Sequence, residues 1–176
     1  MVSGLLQTPP ISVIRDFVDF TIMLRTMDED GLKVFPPLYL VDMKINCWKC
    51  QSRMTAVAIL APNIEGTDNE VCILSDVVGL PEQVLGYIQK RVPTFKFKYS
   101  KTVGSKYFTN TCPICGVISG DFFLHSEPGA PFFPTDEDEA SLLYQTEIPL
   151  EGSIIVHAGL HTGTGELILN HANQIA

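Results

Sequence analysis

The sequence has no long apolar run, few charges and none of the common catalytic signatures. Its most apolar early stretch, Phe17 to Leu24, is broken by Asp19 and flanked by Asp16 and Arg25. That falls short of the ~20 apolar residues a membrane-spanning helix requires. The first ten residues hold two prolines and no Lys or Arg, unlike the basic start and apolar core of a secretory leader. The expectation is a cytoplasmic protein with no membrane partner. There is no Gly-x-Ser-x-Gly elbow, so the usual nucleophile turn of a hydrolase is missing. His157 and His161 are four apart, but Ala158 stands where a zinc protease needs glutamate and Gly159 opposes a helix. Thr162-Gly163-Thr164-Gly165 lacks the spacing and the Lys-Ser/Thr pair of a phosphate-binding loop.

What is present suits a folded domain. The chain has 176 residues, 45% of them hydrophobic and 18% charged, and its mean hydropathy is +0.18. That length buries a real core, and the composition excludes a disordered or collagen-like chain. Twenty acids against twelve bases leave a net charge of -8. Such a chain is repelled on average by phosphate backbones and attracted to basic partners.

Four of the five cysteines form two arms, Cys47-Trp48-Lys49-Cys50 and Cys112-Pro113-Ile114-Cys115. A two-residue gap in a tight turn lets both sulfurs face one point, and two such arms fill all four vertices of a tetrahedral zinc site. With every vertex taken by protein, no position stays open for substrate, so the role expected of the Zn²⁺ is structural. Gly116 permits the positive φ that aims main-chain amides at the sulfurs. Four ionised thiols and one Zn²⁺ would carry the formal charge from -8 to about -10. Cys72, in the apolar run Val71-Cys72-Ile73-Leu74, reads as a small buried hydrophobe.

The second arm, Cys112-Pro113-Ile114-Cys115-Gly116, resembles the knuckle of zinc-ribbon and rubredoxin-type proteins residue for residue. The first departs from it, with Gln51 where glycine is common, and 61 residues separate the arms. The stretch from Tyr107 through His125 is also similar to small uncharacterised bacterial proteins with a like pair of arms. The resemblance implies Cys47, Cys50, Cys112 and Cys115 as structural metal ligands, and no activity.

Along the chain, Val18 to Met27 and Leu32 to Phe35 read as strands around the turn Asp28-Glu29-Asp30-Gly31, with a helix from Pro10 competing for the start. Leu38 to Ile45 runs into the first knuckle and Arg53 to Leu60 leaves it. Val71 to Leu74 is a short buried strand. Pro81 opens a helix with the stripe Leu80, Val84, Leu85, Ile88 and Val92, and Pro93 stops it. Phe95-Lys96-Phe97-Lys98-Tyr99 is a period-two strand with an aromatic and a basic face. Thr135 followed by Asp136 to Glu139 reads as a capped helix start. Ile148, Ile154 to Val156 and Leu167 to Leu169 suggest further strands. The whole predicts a single α+β domain over 1–176, antiparallel, with two or three helices, a zinc-ribbon-like site and a long insertion between the arms.

Charge is divided unevenly. Residues 90–106 hold six of the twelve bases and no acid. Lys96, Lys98, Tyr99 and Lys101 are therefore candidate nucleic-acid contacts, because interleaved aromatics and cations suit single strands. An ordinary half-buried edge, aromatics inward and lysines outward, explains the same pattern and is preferred here. The acids of 28–30 and 136–139 point to a basic protein partner, for instance a bacterial toxin held by an immunity or inhibitor protein. That non-catalytic binding role leads; nucleic-acid binding is the alternative. A hydrolase using Asp121, His125, His157 or His161 is a further alternative. Asp121 and His125 would pair if their segment is helical, although packing of Phe122, Phe123 and Leu124 around the knuckle explains that segment more simply.

Overall fold

A computed structural model describes residues 31–175. The strands expected within 18–27, the helix from Pro10 and the acids at 28–30 lie outside that range. The chain runs through β1 (Leu32–Phe35), β2 (Leu38–Asn46), β3 (Arg53–Ala61), β4 (Asn63–Ile64) and β5 (Cys72–Gly79). Helix α1 (Glu82–Arg91) leads to β6 (Phe95–Ser100), β7 (Ser105–Thr111) and β8 (Ile118–Ser119). Then come α2 (Asp121–His125), α3 (Glu137–Ala140), β9 (Tyr144–Ile148), β10 (Ile154–His161), α4 (Gly165–His171) and β11 (Asn173–Gln174). The fold is α+β and mostly antiparallel, as expected, but has four short helices among the described residues where two or three were expected. None of them is long and apolar enough to cross a membrane.

Eight strands form one sheet in the order β11-β9-β2-β3-β5-β10-β1-β4, and β6-β7-β8 form a second. Strand β3 explains why the larger sheet is layered on both sides. Its run Ala56-Val57-Ala58-Ile59-Leu60-Ala61 is wholly buried, and a strand alternates faces with period two. Val57, Ile59 and Ala61 join Val84 and Ile88 of α1 and Phe95 in one core. Ala56, Ala58 and Leu60 join Leu124, Phe132, Leu143 and Ile168 in another. A strand apolar at every position is the expected signature of burial on both faces.

The expected strand at Leu167 to Leu169 is instead helix α4. Ile168 alone of the three is fully buried, and Leu169 packs beside it against the same core, two neighbouring contacts that a helix can turn to one side. Gly165 begins this helix because a Cβ there would stand 2.1 Å from the Val71 carbonyl oxygen. Strands β5 and β10 run on to Gly79 and His161, past the expected ends at Leu74 and Val156, and the short β8 and β11 were not expected. Helix α1 buries Val84 and Ile88 on the predicted stripe. Cys72 is fully buried, and desolvation, then the nearby Glu70 charge, push its thiol up to about 11. At α3 the cap is Asp136, one residue later than expected, accepting from the Glu139 amide at 2.8 Å. The Glu139 carboxylate reaches back to both the amide and the hydroxyl of Thr135.

The 61 residues between the cysteine arms carry β3 to β7 and α1. They are part of both sheets and both cores, not an insertion hung from a separate ribbon.

Candidate metal centre

Each cysteine arm is the tip of a hairpin. Strands β2 and β3 pair antiparallel up to Asn46 opposite Arg53, and the first arm bridges them. Strands β7 and β8 pair through Thr111 and Ile118, and the second arm bridges these. The two turns have the same main-chain bonding. The Cys47 amide donates to the Ser52 carbonyl at 2.8 Å and the Gln51 amide to the Cys47 carbonyl at 2.9 Å. In the second turn the Cys112 amide donates to Val117 at 2.9 Å and the Gly116 amide to Cys112 at 3.0 Å. Gln51 and Gly116 hold the same left-handed position, with φ of 60° and 70°. The departure from glycine in the first arm therefore changes the residue and keeps the fold of the turn.

The two tips bring Cys47, Cys50, Cys112 and Cys115 together, with all four sulfurs within 4.8 Å of one another. Cys47 and Cys115 approach to 3.6 Å, as do Cys50 and Cys112. A tetrahedron of sulfurs around a metal at ~2.3 Å has edges of about 3.8 Å, so the cluster has the size of a four-thiolate metal site. The cysteines are free of disulfides. Cys47 and Cys112 are buried with Met54, against Ile45, Cys115 and Val117, which forms a small apolar shell distinct from the two main cores.

Polar groups turned on the sulfurs favour the ionised form. The Ser52 hydroxyl lies 3.0 Å from the Cys50 sulfur and 3.2 Å from that of Cys112. It is the leading cause of the lowered Cys50 thiol. The Cys115 amide, then the Ser52 hydroxyl, pull Cys112 down to about 5. At Cys115 the Val117 amide also lowers the thiol, but desolvation and hydrogen bonds with the other three sulfurs outweigh it and raise the group to about 11. Without a cation the four thiols compete to ionise; a divalent cation would satisfy all of them. Trp48 adds a clamp from one tip to the other, donating its indole N–H to the Ile118 carbonyl at 2.9 Å. Ser52 and Trp48 were not legible as site residues, because nothing in a lone serine or tryptophan shows which chain it will meet.

The other candidate residues have separate fates. In β6, Lys96 is exposed and Lys98 donates to the Gly116 carbonyl at 3.1 Å. Lys101 is exposed in the β6–β7 turn. The expectation that the aromatics of this strand point inward holds for Phe95 alone. Phe97 is 47% and Tyr99 55% exposed, because the hairpin runs out past the core that covers Phe95. Phe97 rests on Phe108, ring centres 5.0 Å apart.

Asp121 and His125 do lie on one short helix, and both are buried. They are not hydrogen-bonded to each other. Asp121 accepts from the Asp76 amide at 2.8 Å, while neither ring nitrogen of His125 has a partner. The void they share is about 10 Å³, about one water and too small for a substrate. His157 is exposed, and His161 sits against Phe133. Phe122 and Phe123, expected to pack around the knuckle, are 57% and 68% exposed, and Leu124 belongs to the core under the larger sheet.

No family model matches the chain, and neither a curated protein nor a solved structure matches it. The four-cysteine cluster is what defines the protein chemically.

Proposed function

We propose that this is a zinc-stabilised binding protein that takes single-stranded nucleic acid on the β6–β7 hairpin. The metal reading rests on the donor set: four thiolates in a closed tetrahedron suit Zn²⁺ and serve structure. The observation that carries the binding reading is the exposure of Phe97 and Tyr99 on one face of the hairpin, with Lys106 paired opposite Tyr99 and Lys101 in the adjoining turn. Bases stack on such rings while lysines follow the backbone. This reverses the preference drawn from the strand pattern, which assumed inward aromatics.

The acidic surface loses weight at the same time. Of its two clusters, 28–30 lies outside the described residues. In the other, Asp136 and Glu139 cap α3, and Glu137 lies 3.8 Å from His171. A basic protein partner remains the second proposal, supported by the 20 acids that stand against six bases outside residues 90–106.

The test is titration of the metal-loaded protein with a single-stranded oligonucleotide at low salt. Lys101→Glu with Lys106→Glu, and separately Phe97→Ala with Tyr99→Ala, should each weaken binding about tenfold or more. Binding that is absent, or unmoved by both pairs, rejects the hairpin as a nucleic-acid surface.

A further inference from the structure

The second feature that chemistry can use is a cleft beside the metal centre. It measures about 550 Å³ and is lined by Lys44, Arg53, Thr55, Arg91 and Thr94 over Met54, Val92, Pro93 and Pro113. The β2–β3 register sets Lys44 opposite Thr55, and Arg53 lies two residues before Thr55 on the same face. The Lys44 ammonium bonds the Thr55 hydroxyl. Arg91 comes from the end of α1, its guanidinium 3.7 Å over the Tyr87 ring, an arrangement that holds the planar fork in place. Pro113 of the second cysteine arm and Met54, which packs on Cys47 and Cys112, also line the cleft.

Three cations line this cleft and no carboxylate does. Among the described residues none of the three has a carboxylate partner within 4.0 Å; the ion pairs found are Lys33–Glu65 and His171–Glu137. Asp42 feels the Lys44 charge but does not line the cleft. In a chain of net charge -8, gathering 44, 53 and 91 from three elements around one concavity without an acid concentrates positive potential there. Two hydroxyls supply neutral donors, and the apolar floor suits a ligand with a body as well as a charge. The volume lies in the range of small-molecule sites.

We propose that this cleft binds a nucleotide by its phosphate, with Lys44, Arg53 and Arg91 as phosphate ligands and the apolar floor under the base or sugar. The source is either a free nucleotide or one unit of a nucleic-acid strand, and the inference does not depend on the hairpin reading.

Metal-loaded protein is titrated with AMP, with adenosine and with the single-stranded oligonucleotide, followed by calorimetry and amide shifts. If the ligand is a free nucleotide, AMP binds, adenosine does not, and the shifts centre on Thr55 and Thr94. If it is a strand, AMP is silent and the oligonucleotide binds. In either case Arg53→Gln and Arg91→Gln weaken binding at least fivefold, Arg53→Lys and Arg91→Lys recover part of it, and Lys33→Gln changes nothing. Unchanged metal content verifies that each variant is folded. Binding that ignores both glutamine variants, adenosine that matches AMP, or no binding by any probe overturns the proposal. Loss in the Arg variants but in neither the lysine pair nor the aromatic pair of the hairpin keeps the cleft and rejects the hairpin.

Discussion

Asn110 of β7 pairs with Val57 of β3 as if its side chain were a strand. Its carboxamide oxygen accepts from the Val57 amide at 2.8 Å, and its NH₂ donates to the Val57 carbonyl at 2.9 Å. Strand β3 meets β5 through Ile59 to Ala61 alone, so the main-chain groups at Val57 would otherwise be buried without partners. One amide closes that edge and fastens the smaller sheet to the larger.

Replacing Asn110 by Ala should cost about 2–4 kcal/mol, because two buried polar groups lose their partners together. Asn110→Asp keeps the acceptor but turns a carboxylate oxygen on the Val57 carbonyl. It should be at least as damaging at neutral pH and milder in acid, where the protonated acid donates again. Denaturant unfolding of the metal-loaded proteins measures both.

Metal analysis should find about one zinc per chain. Chelation or Cys112→Ser should lower the melting temperature and loosen both hairpin tips, since binding energy at such a site is folding energy. A metal-free protein of unchanged stability would contradict the structural role. Ser52→Ala should keep the stoichiometry and weaken metal affinity about tenfold to a hundredfold, the usual cost of losing a group that bonds the ligands.

Gln51→Gly should stabilise the protein by about 1 kcal/mol, since a side chain at φ 60° bears a left-handed penalty that glycine escapes. Gly116→Ala at φ 70° should cost a similar amount. Equal unfolding midpoints for both variants and the parent would show that the turns do not carry this strain.

Asp121 and His125 should give opposed pH dependences. Burial, opposed by the Asp76 amide and aided by the Asp76 charge, pushes the Asp121 carboxyl up to about 7. Folding then retains a proton that the unfolded chain releases, and stability falls as pH rises from about 4 to about 7. Burial, with the His161 ring nearby, pushes His125 down to about 3. The unfolded chain then holds the extra proton, and stability rises from about pH 3 to about 6.5. Each slope approaches about 1.4 kcal/mol per pH unit where the two windows overlap, so they largely cancel in the parent. Relative to it, Asp121→Asn should gain stability as pH rises through 4 to 6.5, and His125→Phe should lose it. Parallel curves for the three proteins would mean that neither group titrates as its burial requires.

Local spacing determined much of this protein. Two-residue gaps mark Cys47, Cys50, Cys112 and Cys115 as two half-sites, and the apolar stripe between Pro81 and Pro93 marks α1. Alternation marks β6, because turns, helices and strands answer to neighbours a few residues away. Leu167 to Leu169 shows the limit, since three apolar residues suit a strand or one helical turn equally until the core beneath the sheet takes both Ile168 and Leu169. What only the tertiary structure decided are pairings over long distances in the chain: Asn110 with Val57, Ser52 with the Cys112 sulfur, and Lys44 and Arg53 with Arg91 around one cleft. The same holds for the exposure of Phe97 and Tyr99. A two-residue period states which side chains share a face, but whether that face is covered depends on where the core ends.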